Sequence, residues 1–106
     1  MAKTELMLPS GFGHELVLVS SILYIKSDRK CCTIVTTGKT YTVIRSLRYF
    51  VNELPEDIFF RSHKSYLVSL TYVQAISKKT LFVAGRPLPF SPRARASFYR
   101  RVLKIG

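Results

Sequence analysis

The chain has no tryptophan, only two cysteines and only six acidic residues, and no acid lies beyond Asp57. The cysteines, Cys31 and Cys32, are neighbours. Adjacent cysteines rarely close an unstrained disulfide, so no covalent framework is expected and the chain reads as a protein of the reducing cytoplasm. Together with His14 and His63 they are the only soft metal ligands, and their spacing matches no tetrahedral zinc pattern. Neither a metal nor a cofactor is expected. No apolar run approaches the roughly 18 residues of a membrane span. The opening MAKTELMLPSG lacks an apolar h-region, which argues against a secretory leader.

Other absences bear on catalysis. Gly38-Lys39-Thr40 ends like a phosphate-binding loop, but Thr33 stands where that pattern needs a glycine. Ser62 and His63 resemble a nucleophile and base, yet adjacent residues in extended chain point to opposite faces. The second half offers no acid to orient the histidine. No enzymatic activity is expected.

What is present is positive charge, unevenly placed. Residues 1–57 carry seven basic and six acidic residues, whereas residues 58–106 carry ten basic residues and no acid. An unbalanced field of this kind repels itself, which points to a polyanionic partner. Nucleic acid is the first candidate and an anionic membrane surface the rival.

At 106 residues and 47% hydrophobic, the chain suits a single domain over 1–106 with a modest core. Short runs rich in Val, Ile, Thr, Tyr and Phe predict strands at Glu15–Ser20, Ile22–Lys26, Cys32–Thr37, Thr40–Ile44, Tyr66–Leu70, Val73–Ile76, Leu81–Ala84 and Leu88–Phe90. Thr36-Thr37-Gly38-Lys39 reads as a hairpin turn with Gly38 at positive φ, and Ser77-Lys78-Lys79 as a second tip. Two helices interrupt the pattern. Leu47–Leu54, capped by Ser46 and stopped by Pro55, presents Leu47, Phe50, Val51 and Leu54 on one face. The second runs from Pro92 to about Ile105, with Ser91 as N-cap and Gly106 at its end. Phe98, Val102 and Ile105 form its apolar face; Arg93, Ser97, Arg100, Arg101 and Lys104 form the opposite one. The fold class is mainly β: short antiparallel strands, one short internal helix and a C-terminal helix.

FFRSHKSYLVSL, residues 59–70, is the most specific stretch. It starts and ends apolar, but a basic, hydroxyl-rich centre breaks the alternation of a half-buried strand. It resembles the motif F-x-R-x-H-[RKN]-S-[YF]-[LV]-V-N of LytTR-type DNA-binding domains, output domains of bacterial response regulators. Phe59, Arg61, His63, Lys64, Ser65, Tyr66, Leu67 and Val68 match, and Ser69 stands in place of the usual asparagine. Ile22-Leu23-Tyr24-Ile25, Thr42–Leu54 and Leu88-Pro89-Phe90-Ser91 resemble flanking elements of that family, with Lys26 where the family often has glutamate and Pro92 intervening before Arg93.

The resemblance implies an elongated, mostly β fold that reads double-stranded DNA through loops. One reading loop is Arg29, Lys30, Cys31 and Cys32; Arg93, with Arg95 beside it, heads the other; His63 and Lys64 lie between them. Chemistry supports those roles. Arginine donates a two-pronged fork to guanine, and lysine is a point charge suited to phosphate. The implied partners are duplex DNA, a second copy on a repeated site, and a receiver domain or sensor kinase outside this chain; no membrane is implied. Two alternatives stay open. Tyr24, Tyr41, Tyr66 and Tyr72 would serve an RNA-binding β module if they stacked on bases. The basic C-terminal helix would serve an anionic membrane or a protein partner.

Overall fold

The computed structural model describes residues 3–11 and 13–102. Among these residues, ten strands form three antiparallel sheets. β1 (Glu5–Ser10) pairs with β2 (Gly13–Leu18). A five-stranded sheet is built from β3 (Ile22–Asp28), β4 (Cys31–Thr36), β5 (Thr40–Val43), β6 (Phe59–His63) and β7 (Tyr66–Ser69) in the order β5-β4-β3-β7-β6. The third sheet has the order β10-β9-β8, from β8 (Val73–Ile76), β9 (Thr80–Val83) and β10 (Arg86–Pro89). Helix α1 (Leu47–Glu53) joins β5 to β6, and α2 (Pro92–Arg101) follows β10. The shape is elongated, 49 × 28 × 25 Å.

Strand alternation sorts the apolar side chains of the central sheet into two layers. Ile25, Cys32, Ile34, Tyr41, Val43, Phe59 and Leu67 face one side, where β1–β2 and α1 supply Leu8, Val17, Leu47, Phe50 and Leu54. Tyr24, Phe60 and Val68 face the other, where the three-stranded sheet and α2 supply Leu81, Val83, Leu88, Phe90, Ala94 and Phe98. The first layer is also tied by polar contacts. The Glu15 carboxylate of β2 accepts from Lys39 and, at 3.0 Å, from the Tyr41 hydroxyl. The lysine, then the tyrosine, hold the Glu15 carboxyl below its ordinary range, and the same bond holds Lys39 above its own.

The sequence expectations differ from this in instructive places. β1 was not among the expected strands, and β6 lies where the interrupted FFRSH run predicted none. Gly38 is not at positive φ; instead Thr36 Oγ1 organises that turn, accepting from the Gly38 and Lys39 amides at 3.2 and 3.0 Å. The positive φ values of the third sheet lie at Ala84 (49°) and Gly85 (78°), the two-residue tip of the β9–β10 hairpin. Pro87 and Pro89 are tolerated because β10 is an edge strand. α1 forms as expected, with Ser46 Oγ accepting from the Tyr49 amide at 3.3 Å. α2 ends at Arg101: Val102 is already extended and partly exposed, and buried Ala94 joins Phe98 on the apolar face. Lys104, Ile105 and Gly106, expected to continue and end that helix, lie outside the described residues.

Candidate nucleic-acid interface

The irregular centre of FFRSHKSYLVSL is a hairpin tip preceded by a β-bulge. β6 and β7 pair Arg61 with Leu67 and His63 with Tyr66, so Ser62 is an extra residue on β6. Only Lys64 and Ser65 form the turn; Arg61, Ser62 and His63 continue the strand despite the broken alternation. A bulge leaves its extra residue outside the ladder. Here the freed carbonyl of Ser62 accepts the Ser91 amide at 2.9 Å, hooking the start of α2 onto the hairpin.

Three bonds hold the tip. Arg61 Nη2 donates to the Lys64 carbonyl at 2.7 Å, the Ser65 amide donates to His63 Nδ1 at 3.1 Å, and the Ser27 amide of β3 donates to the Ser65 carbonyl at 2.8 Å. With Nδ1 as acceptor, the proton of the neutral ring resides on Nε2. Arg61 thus braces the tip. Glu56 is met by Arg101, which donates to the Glu56 and Phe59 carbonyls at 2.6 and 3.3 Å and lies over the Phe60 ring. Arg101 is therefore a tie between α2 and β6.

The start of α2 is placed by its cap and by aromatic packing. Ser91 Oγ accepts from the Ala94 amide at 3.1 Å, and Pro92 occupies the first turn, where no amide proton is needed. Phe60, Phe90 and Phe98 form a triangle of edge-on contacts with centroids 5.4–6.5 Å apart. Each such pair contributes about 0.5–1.5 kcal/mol beyond its buried area. The triangle seats α2 over β6, so that exposed Arg93 stands beside the β6–β7 tip.

The result is a groove of about 660 Å³ lined by Arg61, His63, Lys64, Ser91, Arg93, Ala94 and Ser97. It contains cationic and hydroxyl groups and no acid. The β3–β4 tip, Arg29 and Lys30, lies at the same end of the sheet: Lys26 is level with Tyr66, so that hairpin runs on past Lys64 by about two residues, or ~7 Å. Arg29 turns the tip with φ +57°, a region that non-glycine residues other than Asn and Asp seldom occupy.

Thus Arg29, Lys30, His63, Lys64 and Arg93 share one end of the domain, and half-buried Cys31 sits at the base of the first tip. Cys32 does not belong with them. Its side chain is 0% exposed in the core under α1, and burial pushes its thiol up, as for an inert core cysteine. Arg95 lies back along α2, its guanidinium 5.3 Å from the Tyr99 ring and its Nε buried without a hydrogen-bond partner. Sequence reasoning missed Ser97 as a groove residue and the bracing role of Arg61. The helical spacing of Arg93 and Ser97 was a signal for the first; nothing local signalled the second.

Of the tyrosines that would stack on RNA bases, half-buried Tyr66 lies against the Tyr24 and His63 rings, with centroids 6.3 and 6.0 Å away. Tyr24 and Tyr41 are buried, and Tyr72 donates its hydroxyl to the Ser20 carbonyl at 2.6 Å. Among the described residues no helix is long and apolar enough to cross a membrane, and no cluster of His, Cys, Asp and Glu could hold a metal ion.

The fold has known relatives. The model of the LytTr DNA-binding domain family matches residues 13–102. The Transcriptional regulatory protein NatR of Bacillus subtilis (strain 168) is 30% identical over 59 residues, 56% of this chain. The aligned segment is 25% of NatR, so the match spans about a quarter of that relative. The solved LytTr DNA-binding domain of a putative methyl-accepting/DNA response regulator from Bacillus cereus superposes with a TM-score of 0.81. The match covers 94% of this chain and 97% of that one at 25% identity.

Proposed function

The chain belongs to the LytTr DNA-binding domain family and is a DNA-binding domain; from that premise we propose which of its residues meet duplex DNA and how. Lys64 and His63 Nε2–H contact backbone phosphate. Arg93 reads a base edge in one major groove, and Arg29 with Lys30, at the tip beyond Cys31, enters the next. Arg95 flanks Arg93 without reading a base. The domain, 1–106, acts in the cytoplasm as the output of a transcriptional regulator, with the receiver or sensor function outside this chain. A second copy occupies a repeated site. The domain binds rather than catalyses.

The observation that carries this reading is the acid-free groove, which joins the β6–β7 tip to the start of α2. A protein that neutralises several phosphates loses affinity with salt at about −0.9 in log K per log salt for each phosphate. Titration of duplex DNA across a salt series is expected to give the slope of several phosphates; a slope near zero removes the proposal. Arg93→Ala is expected to cost about 1–3 kcal/mol on the best site, confined to one or two base positions. Arg93→Lys should restore non-specific binding without restoring selectivity, because the planar two-donor fork is lost. Unchanged base preferences for both variants in a single-substitution site library would take base readout away from this edge.

A further inference from the structure

The β1–β2 hairpin carries more apolar surface than one chain covers. Leu6-Met7-Leu8 and Leu16-Val17-Leu18 are continuous apolar runs, the pattern of strands buried on both faces. Only one face is covered. Leu8 and Val17 point into the core, whereas Met7, Leu16 and Leu18 are 59%, 62% and 55% exposed. Met7 and Leu16 are direct cross-strand partners and Leu18 follows two residues on, so the three form one patch. This face lies in the layer opposite the one that carries α2 and Arg93.

The polar rim indicates what covers it. The outward residues pair as Glu5 with Leu18, Met7 with Leu16, and Pro9 with His14. The face is therefore acidic at one end, apolar in the middle and ends in a histidine. A two-fold axis through the Met7–Leu16 pair would place Glu5 of one copy against His14 of the other, twice, with the apolar middles in contact. A chain with net charge +11 repels its own copies over most of its surface, but among the six outward side chains of this hairpin the one carboxylate is Glu5 and there is no lysine or arginine; Lys3, Arg45 and Glu53 only border the face. From this complementarity we infer that the outer face of β1–β2 is a self-association surface through which two copies of the chain pack as an isologous dimer. Six outward side chains per copy fall well short of the roughly 20–30 residues a side of a standard interface, so the dimer is weak. The surface is independent of the DNA contacts proposed above, and its test contains no DNA.

Sedimentation velocity of the 106-residue chain from micromolar to near-millimolar concentration is expected to show a concentration-dependent monomer–dimer equilibrium. Leu16→Glu should abolish the dimer while the circular dichroism spectrum and melting curve keep their native form. His14→Glu, which sets two carboxylates together, should weaken the dimer by about tenfold, and adding Glu5→Lys should restore it. A monomer throughout overturns the inference. So does a dimer that survives Leu16→Glu, or a His14→Glu defect that Glu5→Lys fails to repair. Should Leu16→Glu not fold, the charge pair decides alone.

Discussion

Arg61 offers a sharp test of how the β6–β7 tip works, because bracing and direct DNA contact make different predictions for it. Its Nη2 donates to the Lys64 carbonyl at 2.7 Å on an exposed turn. A hydrogen bond contributes about 0.5–1.5 kcal/mol net, and exposure favours the lower half of that range. If the bond selects the ordered tip, its loss shifts the ordered population by about 0.5–1 kcal/mol, a factor of about two to five. Apparent affinity for duplex falls by at most that factor, because binding must then order the tip itself. Lysine keeps the charge but lacks the planar fork that reaches the carbonyl while packed along the strand. Arg61→Lys and Arg61→Ala are therefore expected to lose affinity alike, by up to about fivefold on specific and random duplexes. The salt slope of Arg61→Lys should equal that of the wild type. Backbone 15N relaxation should show larger motion at Lys64 and Ser65 in both variants, with little change in melting temperature. The assay is fluorescence anisotropy over a salt series, paired with those relaxation measurements. The bracing role is refuted if Arg61→Lys matches the wild type while Arg61→Ala makes the slope shallower by about 0.9, the signature of one lost phosphate contact.

The Glu15–Lys39–Tyr41 cluster ties β2 to β5 and should make stability depend on pH. The folded Glu15 pKa is depressed, so its contribution is present above the ordinary carboxylate range and is lost as pH falls through the folded value. Thermal melts of wild type and Glu15→Gln should differ at neutral pH and converge under acid; a constant difference would contradict the linkage. Ser62 Oγ is fully buried without a partner, so Ser62→Ala should be neutral or stabilising by up to about 1 kcal/mol in urea unfolding. A clear loss of stability would mean that the hydroxyl has a partner after all. Ala84 occupies φ +49° in a two-residue hairpin that favours Asn-Gly, so Ala84→Asn should stabilise by about 0.5–1 kcal/mol, read as a higher urea midpoint. A lower midpoint would show that the turn does not limit the hairpin.

Much of the domain was legible in the residues themselves. Short β-branched runs marked most strands, because period-two burial is written locally. Ser46 and Ser91 marked both helix starts, because a cap needs only its own side chain and an amide three residues on. The acid-free second half pointed to a polyanion, and FFRSHKSYLVSL pointed to the family that residues 13–102 match. What remained depended on contacts between distant segments. β6 escaped because its bulge breaks alternation, and that bulge makes sense only once the Ser91 amide arrives to use the Ser62 carbonyl. Cys31 and Cys32 are indistinguishable as residue types; pairing of β4 with β3 and β5 sends one to the base of the hairpin tip and the other into the core. Arg93, Arg95 and Arg101 look alike along one helix. Packing of Phe98 against Phe60 and Phe90 leaves the first beside the hairpin tip and the second along Tyr99, and ties the third to the Glu56 and Phe59 carbonyls. Local chemistry states which groups are available, and the tertiary structure decides which of them share one edge, because side chains far apart in sequence acquire a common direction only when the layers close.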